Sequence, residues 1–195
     1  MRNLRSFLFF VLVGLSATQA IADTTNNTTN GKRNFDVCFS PGQNCDQKLI
    51  NLINYSKKTL DIAIYSITLP GIVGAIESAA NRGVAVRMVV DDMQARGNHS
   101  LVQDLIDKKI PLKIGAVSGI MHDKYTLVDG ALLETGSFNY TSNATGANAE
   151  NQIYLQDSRV IAAYQANFED LWSKGNPSSV LNNHGRGKNS GANQF

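Results

Sequence analysis

Residues 60–92, LDIAIYSITLPGIVGAIESAANRGVAVRMVVDD, contain the pattern on which the predicted fold rests. Apolar side chains alternate over residues 60–65, which predicts a strand. Pro70 then begins a helix over about 70–82, because proline fits the first helical turn. Residues 84–90 are apolar and β-branched, as expected of a buried strand. This stretch is therefore predicted to form a strand, a helix and a second strand.

The same alternation of strand and helix patterns continues on both sides of this stretch. A capping box, Ser100 with Gln103, predicts the start of one helix. Asp129-Gly130 between two apolar runs is a hairpin signal. Further helices are predicted over about 46–57, 101–109 and 160–172, and further strands over 111–114, 125–128, 131–135 and 152–155. Together they predict an α/β fold, an α-β-α sandwich with a mixed, mainly central β-sheet flanked by helices.

Residues 1–22 have the parts of a secretory signal peptide. Arg2 and Arg5 precede an apolar run over 7–15, and small residues follow up to Ala22. The run is about half of the ~20 residues that a membrane-spanning helix needs, so an uncleaved anchor is the less favoured alternative. We expect an exported protein, periplasmic or secreted, with no stable membrane association after signal cleavage.

Polar, low-complexity segments flank the predicted domain. Residues 23–33 predict a flexible leader, and residues 175–195, rich in Gly, Asn and Ser, predict a disordered tail. The remainder, 34–174, is predicted to be a single domain. A hydrophobic share of 43% excludes a disordered or collagen-like chain. The formal net charge of +2 falls to zero without Arg2 and Arg5, so bulk charge does not indicate nucleic-acid binding.

Two cysteines, Cys38 and Cys45, flank a Pro41-Gly42 turn signal. In an oxidising compartment this arrangement favours a local disulfide. A zinc site is the alternative, but zinc needs about four ligands and no histidine is close in the sequence.

The residues that indicate chemistry lie between 120 and 151. His122 and Lys124 are two apart, so they share a face if residues 121–124 are extended. Ser137 and Asn139, also two apart, follow the second hairpin strand and come close to the first pair. An imidazole, an ammonium, a hydroxyl and an amide around one point suit a phosphate group.

Two nearby carboxylates have further interpretations. Glu150 is predicted to orient the imidazole of His122 by accepting its second N–H. Asp129 before Gly130 is equally consistent with turn chemistry and with a functional role. Asp91-Asp92 is interpreted as the end of a strand. Each of these residues alone is more often structural, and the whole pattern carries the functional hypothesis.

The pattern His122-x-Lys124-x4-Asp129, followed by Gly136-Ser137-x-Asn139 and Glu150-Asn151, resembles the HKD motif of the phospholipase D superfamily. The resemblance covers roughly 34–174 and is greatest to the small exported bacterial endonuclease branch. It implies that His122 is a nucleophile that forms a phosphohistidine and that Glu150 orients it. It also implies that Lys124, Ser137 and Asn139 bind phosphate oxygens. The resemblance further implies that Asp129, which matches the third letter of the motif, supports the site without touching phosphate.

The chain contains one copy of this motif, although in-line displacement uses an attacking group and an acid on opposite sides of phosphorus. His99 and His184 lack the motif, so a second His122 is expected from another chain. We expect a homodimer with the active site shared across its two-fold axis. No metal and no cofactor are predicted.

The first function hypothesis is a metal-independent phosphodiesterase, a non-specific endonuclease for DNA and potentially RNA. The second is a phospholipase D-type phosphatidyl hydrolase or transferase that uses the same site. It calls for an exposed apolar or aromatic surface, which the sequence does not indicate. The third is a nucleic-acid-binding module with a silent site, and the intact residue set argues against it.

Overall fold

A mixed eight-stranded sheet lies at the centre of residues 35–184, the part of the chain that this computed structural model describes. The predicted signal peptide, the predicted leader and residues 185–195 lie outside the described residues. The strands are β1 (Phe35–Ser40), β2 (Thr59–Ile64), β3 (Ala85–Val90), β4 (Leu112–Ile114), β5 (Lys124–Val128), β6 (Leu132–Gly136), β7 (Glu150–Leu155) and β8 (Asn176–Pro177). The helices are α1 (Cys45–Tyr55), α2 (Pro70–Asn81), α3 (Asp92–Ala95), α4 (Val102–Asp107), α5 (Ser142–Gly146) and α6 (Ser158–Lys174), with a 3₁₀ helix at Ser178–His184.

The strand order is β1-β7-β6-β5-β2-β3-β4-β8. β2 pairs in parallel with β3, and β3 with β4, whereas the other neighbours are antiparallel. The registers place Ser40 opposite Glu150 and Gly136 opposite Gln152. The first residues of β5 and β7 therefore lie at the same end of the sheet as the last residues of β1 and β6.

Helices cover both faces of this sheet. On one face Ile62 and Met88 belong to a core that α1, α2 and α4 complete. On the other face Ala63 and Val89 belong to a smaller core against α6, in which Phe168 is fully buried. Successive strand residues point to opposite faces, so each of these strands contributes to both cores. The predicted α-β-α sandwich with a mixed sheet is confirmed.

One helix start differs from its prediction. Helix α4 begins at Val102, and Ser100 Oγ accepts the backbone N–H of Val102 at 3.3 Å. The side chain of Gln103 donates to Asp107 at 2.8 Å instead of returning to Ser100. The predicted capping box is wrong, because the backbone N–H of Ser100 already donates to Gly97 O at 2.9 Å.

The predicted disordered tail at 175–195 is wrong for its first part. Asn176 pairs with Ile114 to form β8, and Val180 and Leu181 of the 3₁₀ helix pack against the larger core. Arg96 donates to both backbone carbonyls of that pair at 3.4 Å. The prediction of disorder rested on the Gly, Asn and Ser content of the segment and overlooked Val180 and Leu181, whose side chains anchor it to the core.

Strand β1 was not predicted, and it changes the description of the surface. Cys38 faces the core, whereas Phe35, Val37 and Phe39 are 62%, 41% and 52% exposed on the opposite face. The expectation that the chain has no exposed apolar or aromatic surface is therefore wrong. Cys38 forms a disulfide with Cys45 at the start of α1, which confirms the predicted pairing.

Candidate active site

A pocket of about 400 Å³ opens at the end of the sheet where β5 and β7 begin and β6 ends. Its lining consists of His122, Lys124, Gly136, Ser137, Asn139 and Glu150. Five of the six residues proposed from the sequence as catalytic thus lie around one space. The sixth, Asp129, does not line this pocket.

His122 lies just before β5 and is exposed to the pocket. Residues 121–123 are not part of the strand, which begins at Lys124, so the extended segment expected there is shorter than predicted. The path of the chain is fixed by Asp91, whose buried carboxylate accepts the backbone N–H of Met121 at 3.0 Å. His122 therefore leaves a backbone that is held at the preceding residue.

Lys124 is buried, at 7% exposure, and its side chain lines the pocket. Its Nζ donates to the backbone carbonyl of His122 at 2.5 Å and lies 5.0 Å from the ring centroid of Tyr65. Burial lowers the pKa of Lys124, and the charges of Asp123 and Glu150 oppose that shift. A partly desolvated ammonium with donors to spare is suited to an anionic ligand.

Glu150 and Ser137 are directly connected. The Ser137 hydroxyl donates to one carboxylate oxygen of Glu150, and Asn148 donates to the other at 3.0 Å. Ser137 Oγ also accepts the backbone N–H of Asn151 at 3.1 Å. Glu150 has these two partners in place of the expected imidazole N–H. The reason is that Glu150 is the first residue of β7 and lies beside Ser137, which hydrogen-bonds to its carboxylate.

Gly136 permits this close approach of β6 to β7. A Cβ at position 136 would lie 2.1 Å from the carbonyl oxygen of Asn151. The next residue, Ser137, donates its backbone N–H to the same oxygen at 3.1 Å. A glycine is therefore required where the strand passes into the Ser137–Asn139 segment.

Asn139 presents its amide to the pocket, and its Oδ1 is buried with no hydrogen-bond partner among the described residues. A buried polar atom without a partner costs free energy. An unpaired amide oxygen in the same pocket as an ammonium and a hydroxyl is consistent with a site that is completed by a hydrogen-bond donor.

Asp129 lies at the far end of β5, roughly 16 Å along the strand from Lys124 at about 3.3 Å per residue. Its carboxylate accepts the backbone N–H groups of Lys57, Lys58 and Thr59 at 2.7–3.2 Å. Burial acts to raise the pKa of Asp129, but these hydrogen bonds prevail and lower it. Asp129 and Gly130 both have positive φ, so the residue combines turn chemistry with a tie to the start of β2.

Tyr65 was missed by the sequence reasoning. It follows β2, and its ring meets the imidazole of His122 edge-on with centroids 4.5 Å apart. Its backbone N–H donates to Asp123 O at 2.9 Å. The signal available was its place at the end of a predicted strand, where side chains reach the edge of the sheet.

Within residues 35–184 no group of three or more His, Cys, Asp or Glu side chains is arranged to hold a metal ion. In the same range no helix is both long enough and apolar enough to cross a membrane.

An α/β sandwich with histidine, lysine, serine, asparagine and glutamate in one pocket at the end of its sheet defines a protein with an HKD-type site. The family model described as "Cardiolipin synthase, PLD-like domain" matches residues 49–172. The chain belongs to this phospholipase D-like family, as its motif indicated.

Relatives with several names share this domain. The chain is 31% identical to the mitochondrial cardiolipin hydrolase of Xenopus tropicalis over 132 residues, 68% of this chain and 63% of that protein. It is 31% identical to the phospholipase D of Rickettsia prowazekii over 137 residues, 70% of this chain and 67% of that protein. The match thus leaves more than a third of the cardiolipin hydrolase uncovered.

A solved structure is also similar. The phospholipase D family member Nuc from Salmonella typhimurium superposes with a TM-score of 0.70 at 29% identity. The match covers 73% of this chain and 96% of Nuc. The described domain therefore corresponds to nearly all of that small family member.

Proposed function

We propose that this protein is a metal-independent phosphodiesterase that cleaves nucleic acid through a phosphohistidine on His122. The observation that carries the proposal is the single pocket that His122 and Lys124 line together with Ser137, Asn139 and Glu150. Its groups supply one nucleophile and several hydrogen-bond donors, which phosphoryl transfer requires.

In the first step an imidazole nitrogen of His122 attacks phosphorus. The N–P bond forms as the bond to the leaving oxygen breaks, and that oxygen takes a proton from an acid on the opposite side. Lys124 and the Asn139 amide stabilise the charge on the phosphoryl oxygens. In the second step water attacks the phosphohistidine and forms a new P–O bond as the N–P bond breaks and frees the imidazole of His122. The same acid, now deprotonated, accepts the proton of the water.

The acid is proposed to be His122 of the partner subunit. Each chain carries one HKD motif, and the pocket contains a single histidine. A two-fold axis beside the pocket brings a second identical histidine to the far side of one phosphate. The local positive charge for nucleic acid then comes from two Lys124 residues, since the chain from residue 23 onward has no net charge.

Nucleic acid is the favoured substrate for two reasons. The motif and size resemble the small endonuclease branch, and the similarity to Nuc covers almost the whole of that chain. A domain of this size has little room for a separate lipid-binding structure beside the HKD site. Export to the periplasm or the medium, predicted from residues 1–22, is part of the same proposal.

A phosphatidyl substrate is the second candidate, because of one observation. Phe35, Val37 and Phe39 expose an apolar row, and Ile120 beside the site is 47% exposed. The names of two relatives, cardiolipin hydrolase and phospholipase D, refer to phospholipid substrates. Ser40 is the register partner of Glu150, and the row points to the other side of β1 from Ser40, which favours nucleic acid.

The test uses the mature chain, its His122→Ala variant and, as a matched control, His99→Ala. Each is incubated with plasmid DNA, RNA, and vesicles of phosphatidylcholine with cardiolipin, all with excess EDTA. We expect DNA cleavage by the wild type and by His99→Ala, and none by His122→Ala. Lipid cleavage without DNA cleavage would transfer the proposal to the second candidate, and activity that needs added divalent metal would refute metal independence.

Two further measurements test the intermediate and the dimer. Rapid denaturation during turnover of ³²P-labelled substrate should trap acid-labile label on wild type and none on His122→Ala. Sedimentation velocity should give a dimer at assay concentrations. A fully active monomer would refute the shared site.

A further inference from the structure

Tyr65, Gln94 and Asp91, none of which belongs to the HKD motif, are connected to His122 and to each other by direct contacts. Tyr65 touches the imidazole of His122 edge-on, with an interplanar angle of 60°. The same ring lies 5.0 Å from the ammonium of Lys124. One aromatic side chain thus contacts both functional residues of the HKD motif.

The hydroxyl of Tyr65 is held in its turn. Gln94, on the short helix α3, donates its side-chain amide to Tyr65 Oη at 3.1 Å. Asp91 caps that helix by accepting the backbone N–H of Gln94 at 3.0 Å with one carboxylate oxygen. Its other oxygen accepts the backbone N–H of Met121 at 3.0 Å.

These contacts form a closed path. Asp91, 3% exposed, fixes both the backbone that precedes His122 and the turn that carries Gln94. Gln94 holds the hydroxyl of Tyr65 by a hydrogen bond, and the ring of Tyr65 in turn contacts the imidazole of His122. A buried carboxylate that makes hydrogen bonds with both oxygens is a rigid reference point.

We propose that Tyr65, held by Gln94 and Asp91, is a positioning residue that orients the His122 imidazole for attack and supports the charge of Lys124. This inference rests on the proposed phosphodiesterase function. The contact between the two rings restricts rotation of the imidazole, and a reacting group that is misplaced by about 1 Å lowers the rate by about 100-fold. The face of the ring stabilises the nearby ammonium of Lys124, which lies 5.0 Å from the ring centroid.

The groups around Lys124 bear on the second part of the proposal. Glu150 from β7 and the neighbouring Asp123 favour its charged form, whereas burial disfavours it. The titratable side chain of His122 and the neutral Ser137 and Asn139 line the same pocket as Lys124. The ring of Tyr65 acts with the two carboxylates.

The experiment compares Tyr65→Leu, which removes the ring, with Tyr65→Phe, which removes the hydroxyl alone. Tyr55→Leu is the matched control, because Tyr55 lies on α1 with 61% exposure. The mature chain is assayed on bis(p-nitrophenyl) phosphate in EDTA from pH 5 to 11. Tyr65→Leu should lower kcat by about 10–100-fold with KM within threefold. Its alkaline loss of activity should begin about half a pH unit earlier.

The conservative variant separates positioning from folding. Tyr65→Phe should lose about fivefold in kcat, and adding Gln94→Ala should lose little more, because both changes break one hydrogen bond. Tyr65→Leu with wild-type kcat and an unmoved alkaline limb would overturn the inference. Equal losses in Tyr65→Leu and Tyr55→Leu would do the same.

If the wild type does not hydrolyse the phosphodiester at all, the proposed function is refuted. The positioning role of Tyr65 can still be tested by a measurement that does not depend on activity. The imidazole protons of His122, assigned with His122→Ala, should show a ring-current shift in the NMR spectrum, because the two ring centroids are 4.5 Å apart. That shift should survive in Tyr65→Phe and vanish in Tyr65→Leu. A His122 signal that is the same in all three proteins would overturn the positioning role independently of activity.

Discussion

Lys124 donates its ammonium to the backbone carbonyl of His122, with Nζ and O 2.5 Å apart. The two functional side chains of the HKD motif are thus connected through the backbone of the motif itself. This contact holds the ammonium beside His122 in the pocket lining and leaves further donors for a phosphate.

The burial of Lys124 predicts the alkaline limit of activity. Burial lowers the pKa of Lys124 below the ordinary 10.5, so its charge is lost at a lower pH than that of a surface lysine. The pH–rate profile of the wild type should fall below pH 10.5. Lys124→Arg should move this fall upward, since arginine stays charged, and Lys124→Met should cost about 10²–10³ in kcat at neutral pH. Exposed Lys108→Met is the control, and an unmoved fall in Lys124→Arg contradicts the assignment.

Gly136 predicts a steric effect on stability. A methyl group at position 136 would lie 2.1 Å from Asn151 O, whereas one at Gly74 in α2 meets nothing within 4 Å. Gly136→Ala should lower the free energy of unfolding by about 1–3 kcal/mol and displace Ser137. Gly74→Ala should raise it by about 0.5–1 kcal/mol, as alanine favours helix. Urea unfolding measures both, and equal effects would contradict the close approach of β6 and β7.

Asp129 predicts an effect on stability without an effect on chemistry. Its three backbone partners lower its pKa below 3.8, so its contribution is present at neutral pH and is lost as pH falls through the lowered pKa. Asp129→Asn keeps a residue that tolerates positive φ and should cost about 1–2 kcal/mol, with kcat within twofold. Asp170→Asn on the surface of α6 is the control. A large loss of kcat at unchanged stability would instead place Asp129 in the chemistry.

Glu134 predicts stability that falls as pH rises. Burial raises its pKa from 4.5 to about 8, against the hydrogen bonds of Thr126 and Tyr140. Between these values the folded state keeps a proton that the unfolded state has lost, so folding becomes less favourable from about pH 4.5 to 8. Glu134→Gln should abolish this slope. The loss of stability that the wild type shows between pH 5 and pH 7, at most about 3 kcal/mol, should be absent from the variant.

The check is thermal unfolding across this pH range, with the partly exposed Glu77→Gln as control. Parallel pH profiles for wild type and Glu134→Gln would contradict a protonated Glu134.

The order of strand and helix patterns was enough to predict β2, α2, β3 and the β5–β6 hairpin. Their signals are local: Pro70 begins α2, and the positive φ of Asp129 and Gly130 suits the turn that their residue types indicated. Strand β1 and the 3₁₀ helix gave no such signal. Each owes its place to partners more than 60 residues away, β7 for the first and β4 with Arg96 for the second.

The sequence by itself determined which residue types this protein has for phosphate chemistry, because the HKD spacing is a local property of one hairpin and its flanks. Only the tertiary structure decided what those residues contact. The carboxylate of Glu150 accepts hydrogen bonds from Ser137 and Asn148, and the ring of Tyr65 contacts the imidazole of His122. The reason is that strand register and the edge of a sheet join distant segments, and these contacts depend on geometry that no spacing along the chain contains.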